Sequence, residues 1–102
     1  MARMSYSIIL APEALEDLDE LRATVRAEVR DGIETHLRHE PRKVSRSWIK
    51  RLRRLSQPQY RLRIVEVRVF YDVTGQTVEV LAIVSKSEAA TWLVKHGKLE
   101  EK

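Results

Sequence analysis

The stretch Tyr60–Asp72, YRLRIVEVRVFYD, alternates apolar residues with others on both sides of Val65-Glu66. A period of two is the signature of strands with one buried face. Folding the chain back at Val65-Glu66 sets Ile64 across from Val67, Leu62 from Val69 and Tyr60 from Tyr71. Those residues form one continuous apolar face. The opposite face carries Arg61, Arg63, Arg68, Phe70 and Asp72, with Arg63 across from Arg68 and Arg61 across from Phe70. Like charges directly opposite each other destabilise a sheet. A chain tolerates three arginines there more readily if something polyanionic docks on them.

A chain of 102 residues suits one domain, residues 1–102, with a core large enough to need no metal or disulfide. It has no cysteine, which excludes a disulfide framework and a thiolate zinc site and suits a reducing cytoplasm. No apolar run is long enough to span a membrane. The N-terminal MARMSYSIILAPEAL has Arg3 before a short apolar run and Glu13 after it, a poor signal peptide and a good first strand. The net charge of +4 is modest, but its distribution is uneven. Arg42, Lys43, Arg46, Lys50, Arg51, Arg53 and Arg54 crowd the segment from Pro41 to Gln59, which holds no Asp or Glu. Such a run alone reads equally well as a solvated face. Joined to an arginine-faced hairpin, it is the electrostatic footprint of a nucleic-acid binder.

Elsewhere the elements follow from patterning. Tyr6 to Leu10 reads as a strand, and Pro12 with Glu13 and Glu16 reads as a helix entry. Leu15, Leu18, Leu21, Val25, Val29, Ile33 and Leu37 form a helical stripe expected to face the core. Thr24 as an N-cap divides it into two antiparallel helices, 12–22 and 25–39. Gly32 costs the second helix roughly 1 kcal/mol relative to alanine and allows a neighbour to approach. His36 and His39 suit the negative end of that helix. No metal-ligand set accompanies them and no cofactor is expected. Residues 41–59 lack a period; Trp48, Ile49, Leu52 and Leu55 are spaced to anchor the segment on the core, through a short helical turn. Thr77–Ser85 is apolar at every position from Val80 to Val84, as in a central strand covered on both faces. Ser87 caps a last helix reaching His96, Gly97 stops it, and 98–102 form a frayed tail. The expected class is α+β: a strand and helical hairpin, then a three-stranded antiparallel meander covered on one side, then a short helix.

This order, centred on YRLRIVEVRVFYDVTGQTVEVLAIVSKSEA, resembles the RelE/ParE family of bacterial type II toxins from Tyr6 to about Gly97. The resemblance implies a RelE-like fold and a cognate antitoxin that wraps and neutralises the toxin. It implies one of two activities: mRNA cleavage in the ribosomal A site, or inhibition of DNA gyrase without nuclease chemistry. Arg61 and Arg63 match two basic residues of the RelE active-site strand, where the type member has lysines, and Arg68 matches the arginine of the next strand. Arginine clamps phosphate well but stays protonated, so it is a poor base. After the last strand, RelE-like members carry an arginine and a tyrosine, or a histidine and a tyrosine. Here Lys86 alone supplies charge at that strand end, with Glu88 the nearby carboxylate, and Trp92 reads as core. Gly-Asp, frequent at the family's hairpin turn, is replaced by Val65-Glu66, which points to a turn that is wider or of another type.

The expected site is therefore Arg61, Arg63, Arg68 and Lys86, with Lys50, Arg51, Arg53 and Arg54 tracking RNA backbone. The leading expectation is an endoribonuclease that cleaves mRNA on the ribosome using the substrate 2′-OH. Gyrase inhibition and a degenerate, antitoxin-binding role are the alternatives.

Overall fold

The computed structural model describes residues 4–101; Arg3 and Lys102 lie outside them. The hairpin of β4 (Tyr60–Ile64) and β5 (Val67–Thr74) lies at the middle of the sheet, and its register is the one the alternation dictates. Tyr60 pairs with Tyr71, Leu62 with Val69, Ile64 with Val67, Arg61 with Phe70 and Arg63 with Arg68. β6 (Thr77–Ser85) continues the meander antiparallel to β5. It is central, as its apolar run requires, because β1 (Ser7–Leu10) pairs with its other edge. That pairing is parallel, so the sheet is mixed. The order is β1-β6-β5-β4-β2, where β2 (Ile49–Arg51) is an edge strand antiparallel to β4.

Helices α1 (Pro12–Glu20) and α2 (Ala23–Leu37) cover one face. Ala14, Leu18, Val29, Ile33 and Leu37 pack there against the apolar row of β4 and β5 and against Val78, Val80 and Ile83. Leu15 is instead exposed, because Ala14 and Leu18 take the inward positions of α1. α2 begins after Arg22, two residues before the expected break, and Thr24 does not cap it. A Cβ on Gly32 would collide with Ile64 Cδ1 and stand 2.9 Å from its Cγ1. Glycine there lets α2 lie close on β4.

A bulge separates the two halves of β6. Phe70 faces Ala82 while Tyr71 faces Val80, leaving Leu81 as an extra residue. β1 ends just short of this point, with Ala11 N donating to Val80 O (2.8 Å). Past it, Ile83 N donates to Asp17 Oδ2 of α1 (2.9 Å), so a carboxylate takes the place of the missing strand.

Four other expectations need correction. Residues 41–59 hold two short strands, β2 and β3 (Leu55–Gln57), where a helical turn was expected. Ile49 is buried by them, but Trp48 is 46% exposed and stacks on His36 instead of entering the core. The tail is not frayed throughout: β7 (Lys98–Leu99) pairs with β3, and Glu100 N donates to Arg54 O (3.0 Å). The sheet is covered on both sides at its centre. After a short turn at Lys86–Glu88, α3 (Ala89–His96) crosses the second face and lays Trp92 on Phe70, centroids 5.0 Å apart.

The turn between β4 and β5 is tight, with only Val65 and Glu66 outside the ladder, and Val65 takes φ 51°. A turn that is wider or of another type was expected because a β-branched residue disfavours positive φ; it is not wider, and of its two residues only Val65 takes a positive φ. The structure accepts the strain because Arg68 Nη1 donates to Val65 O (3.0 Å) and Val67 O (3.1 Å), bracing the turn from below. The Val65 side chain is 62% exposed and contributes little packing. Val65→Asn, which tolerates this backbone, should raise unfolding stability by about 1 kcal/mol. Urea denaturation would measure it.

Candidate polyanion-binding face

The β4 residues that alternate away from the helices are Arg61 and Arg63, and their strand neighbours extend the pattern sideways. Lys50 of β2 pairs with Arg61, and Arg63 pairs with Arg68. One row therefore reads Lys50, Arg61, Phe70, Ala82, and the next contains Arg63, Arg68 and Val84. α3 roofs the far end through Trp92 and leaves the cationic end near β2 uncovered by a helix.

The cations on this face differ in freedom. Arg63 is exposed. Arg61 is partly buried, and its Nε is buried without a hydrogen-bond partner. Burial first, then repulsion from Arg68 and Arg63, pulls its guanidinium below the usual arginine value. An anion would supply the missing acceptor and relieve the repulsion together. Arg68 is only 7% exposed and is held by the two carbonyls of the turn. It is a fixed positive charge under the hairpin, less a mobile clamp. Lys86 stands at the end of β6, exposed, with its N–H donating to Glu66 O (2.7 Å) at the hairpin tip.

The expected RNA-tracking group is split by the strand pleat. Lys50 shares the face of Arg61. Arg51 points the other way: its Nη1 donates to Leu52 O (3.0 Å) and Gln59 O (2.7 Å), and its guanidinium lies 5.3 Å from the centroid of Tyr60. It braces the corner into β4. Arg53 and Arg54 are exposed at the turn after β2, and Arg54 takes φ 68°.

Titratable partners are sparse on this face. Tyr71 is fully buried on the helix side, and its hydroxyl donates to Pro41 O (2.7 Å). Burial, then neighbouring Tyr60, raises its pKa well above the ordinary tyrosine value. Asp72 accepts from Gln57 Nε2 (2.7 Å) and Gln59 N (2.8 Å), while Gln59 Oε1 accepts from Val73 N (2.9 Å). Its carboxylate is thus engaged in tying the start of β4 to β5. His96 lies on α3 beside Trp92, centroids 5.1 Å apart. Among the described residues no cluster of three or more His, Asp or Glu could hold a metal ion. None of their helices is long and apolar enough to cross a membrane. Sequence reasoning missed the Phe70–Trp92 stack and the engagement of Asp72. The signal available for the first was a tryptophan on a short helix after the meander, with Phe70 the one aromatic on the face of β5 away from the helical hairpin.

The helical hairpin packed on a mixed sheet is shared with solved RelE-type toxins. The toxin–antitoxin complex RelBE2 from Mycobacterium tuberculosis superposes with a TM-score of 0.66 at 25% identity, over 79% of this chain and 98% of that one. The RelB-RelE complex from Methanococcus jannaschii gives 0.62 at 16% identity, over 82% and 96%. The E. coli toxin RelE, solved as a free mutant, gives 0.55 at 24% identity, over 90% and 97%. Residues 8–90 match the family described as the ParE toxin of type II toxin-antitoxin system, parDE, and the chain belongs to that family. No curated protein matches the sequence.

Two outcomes test the geometry. Arg68→Ala should lower stability by about 2 kcal/mol, from lost charge-assisted bonds at the turn, while Arg63→Ala stays within about 0.5 kcal/mol. Urea titrations at neutral pH would separate them. Tyr71 favours its neutral form in the folded state, so its contribution is fully present below about pH 10 and is lost as pH rises beyond. Tyr71→Phe should cost about 1 kcal/mol at pH 7 and remove that share of alkaline destabilisation.

Proposed function

We propose that this toxin inhibits translation by ribosome-dependent mRNA cleavage, with the substrate 2′-OH as nucleophile. The observation that carries the reading is Arg61: a partly buried guanidinium with an unpartnered Nε, repelled by Arg63 and Arg68 on the same face. A phosphate satisfies that arrangement. Attack of O2′ forms an O2′–P bond and breaks P–O5′, leaving a cyclic phosphate and a 5′-hydroxyl. Arg61 and Arg63 hold the phosphate and stabilise charge building on its oxygens. Arg68 contributes a fixed field from beneath, and Lys50 and Lys86 neutralise flanking phosphates. Arginine does not deprotonate, so the O2′ proton leaves to water and the departing O5′ takes one from water. Arg53 and Arg54, at the turn beyond β2, meet RNA backbone; Arg51 is spent on its own corner.

A cognate antitoxin is part of this reading, supported by the RelB-bound neighbours. An acidic segment folding over the cationic face would neutralise it. The toxin would act in the cytoplasm, where ribosomes and mRNA are.

A second reading is favoured by the ParE description of the family and by the lack of an evident general base or acid among Arg61, Arg63, Arg68 and Lys86: inhibition of DNA gyrase by binding, without nuclease chemistry. An in vitro translation reaction with mapping of mRNA ends separates the two. Toxin-dependent ends that fall roughly 100-fold in Arg61→Ala support cleavage. Intact mRNA together with gyrase-dependent DNA breaks would transfer the assignment to the second reading.

A further inference from the structure

The chain leaves α3 at Gly97 and returns to the basic turn that follows β2. There β7 pairs with β3, Leu99 opposite Leu55 and Lys98 opposite Gln57. Ser56 Oγ donates to Lys98 O (3.3 Å), and Glu100 N donates to Arg54 O (3.0 Å). Glycine allows this close return, since a Cβ on Gly97 would lie 2.5 Å from Leu93 O and 3.4 Å from Leu55 Cδ2. The pairing adds little to the core: Lys98, Leu99 and Glu100 are all exposed, Leu99 by 74%. What β7 holds is therefore β3 and the turn ahead of it.

That turn has a conformation in need of holding. Arg54 takes φ 68°, a left-handed backbone that an arginine adopts only at a cost. Leu52 N donates to Gln59 O (2.8 Å) and closes the loop toward β4. Toward the outside, the carbonyl of Arg54 itself is fixed by Glu100 N. Arg53 and Arg54 are exposed and have no ion pair among the described residues. Lys50, which pairs with Arg61, precedes Arg53 by a span of at most about 11 Å. A strand held at Arg61 and Lys50 has this turn within reach. Cations on a loose loop lose affinity to the ordering of that loop on binding, and a turn fixed beforehand does not.

We propose that β7, through the bond from Glu100 N to Arg54 O, is a strut that fixes Arg53 and Arg54 to meet the backbone of an RNA strand whose next phosphates lie at Lys50 and Arg61. This rests on reading the Arg61 face as an RNA-phosphate site. Glu100 is a positioning residue. Its N–H acts through Arg54, and its carboxylate only repels the ligand mildly.

Two substitutions at one position provide the test, with binding of labelled eight-nucleotide oligo(rU) read by anisotropy. Glu100→Ala removes the carboxylate and keeps the N–H. Glu100→Pro removes both, and leaves Leu99 in the extended backbone it already has. Loss of a negative charge alone does not weaken RNA binding, so Glu100→Ala should bind at least as well as the unaltered protein. Glu100→Pro should bind roughly fivefold more weakly. Arg53→Ala/Arg54→Ala should bind roughly tenfold more weakly, and in that background Glu100→Pro and Glu100→Ala should bind alike. A difference that persists there reflects general loosening, of α3 included, and overturns the strut. Equal binding by Glu100→Pro and Glu100→Ala in the otherwise unaltered protein overturns it too. Tighter binding by Glu100→Pro would make β7 a cover over the turn, with the same result. Arg61→Ala separates the two readings. If it leaves oligo(rU) binding unchanged, the RNA reading of the face falls; if it weakens binding and Arg53→Ala/Arg54→Ala does not, only the strut falls.

Discussion

The pairing register of β4 with β5 is the constraint on which the other features hang. Because side chains alternate, one register sends Tyr60, Leu62, Ile64, Val67, Val69 and Tyr71 to the helices and Arg61, Arg63 and Arg68 to the other face. A slip of one residue would put arginines under α1 and α2, a cost no small domain survives. The register demands a tight turn at Val65-Glu66, and the turn demands an unfavourable φ at a β-branched residue. Arg68 offsets that strain through its two carbonyl bonds, and its own position opposite Arg63 is tolerated for the same reason.

The consequence for function is a division of labour among cations that look alike in the chain. Arg68 and Arg51 spend their donors on backbone carbonyls. Arg61 keeps an unpartnered Nε in a desolvated, repulsive setting, and Arg63 and Lys50 stay exposed beside it. A charge pattern becomes a binding site only where the fold leaves the donors unsatisfied. The same contrast separates the aromatics: Tyr71 and Phe70 are sealed, one by each layer of helices, while Trp48 remains open at the sheet edge.

The meander, its register, the central place of β6 and the helical hairpin were all legible from local pattern, because burial on one face imposes a period that the chain must carry. The arginine face was legible for the same reason. Less legible were features set by partners distant in the chain. Trp48 reads as a core anchor by spacing alone, and only the approach of α2 supplies His36 as its stacking partner. Lys98 and Leu99 read as tail until β3 comes within reach. Leu15 sits on an apparently continuous stripe, but the angle of α1 on β6 chooses Ala14 and Leu18 instead.

By itself, then, the sequence determined which residues face inward along each strand and helix, and therefore where the arginines must emerge. Periodicity is a local property and needs no knowledge of neighbours. Tertiary structure alone decided which of those arginines is free. That depends on carbonyls and rings brought together by the fold: the turn carbonyl that holds Arg68, the Tyr60 ring and Gln59 carbonyl around Arg51, and the absence of any acceptor at Arg61 Nε.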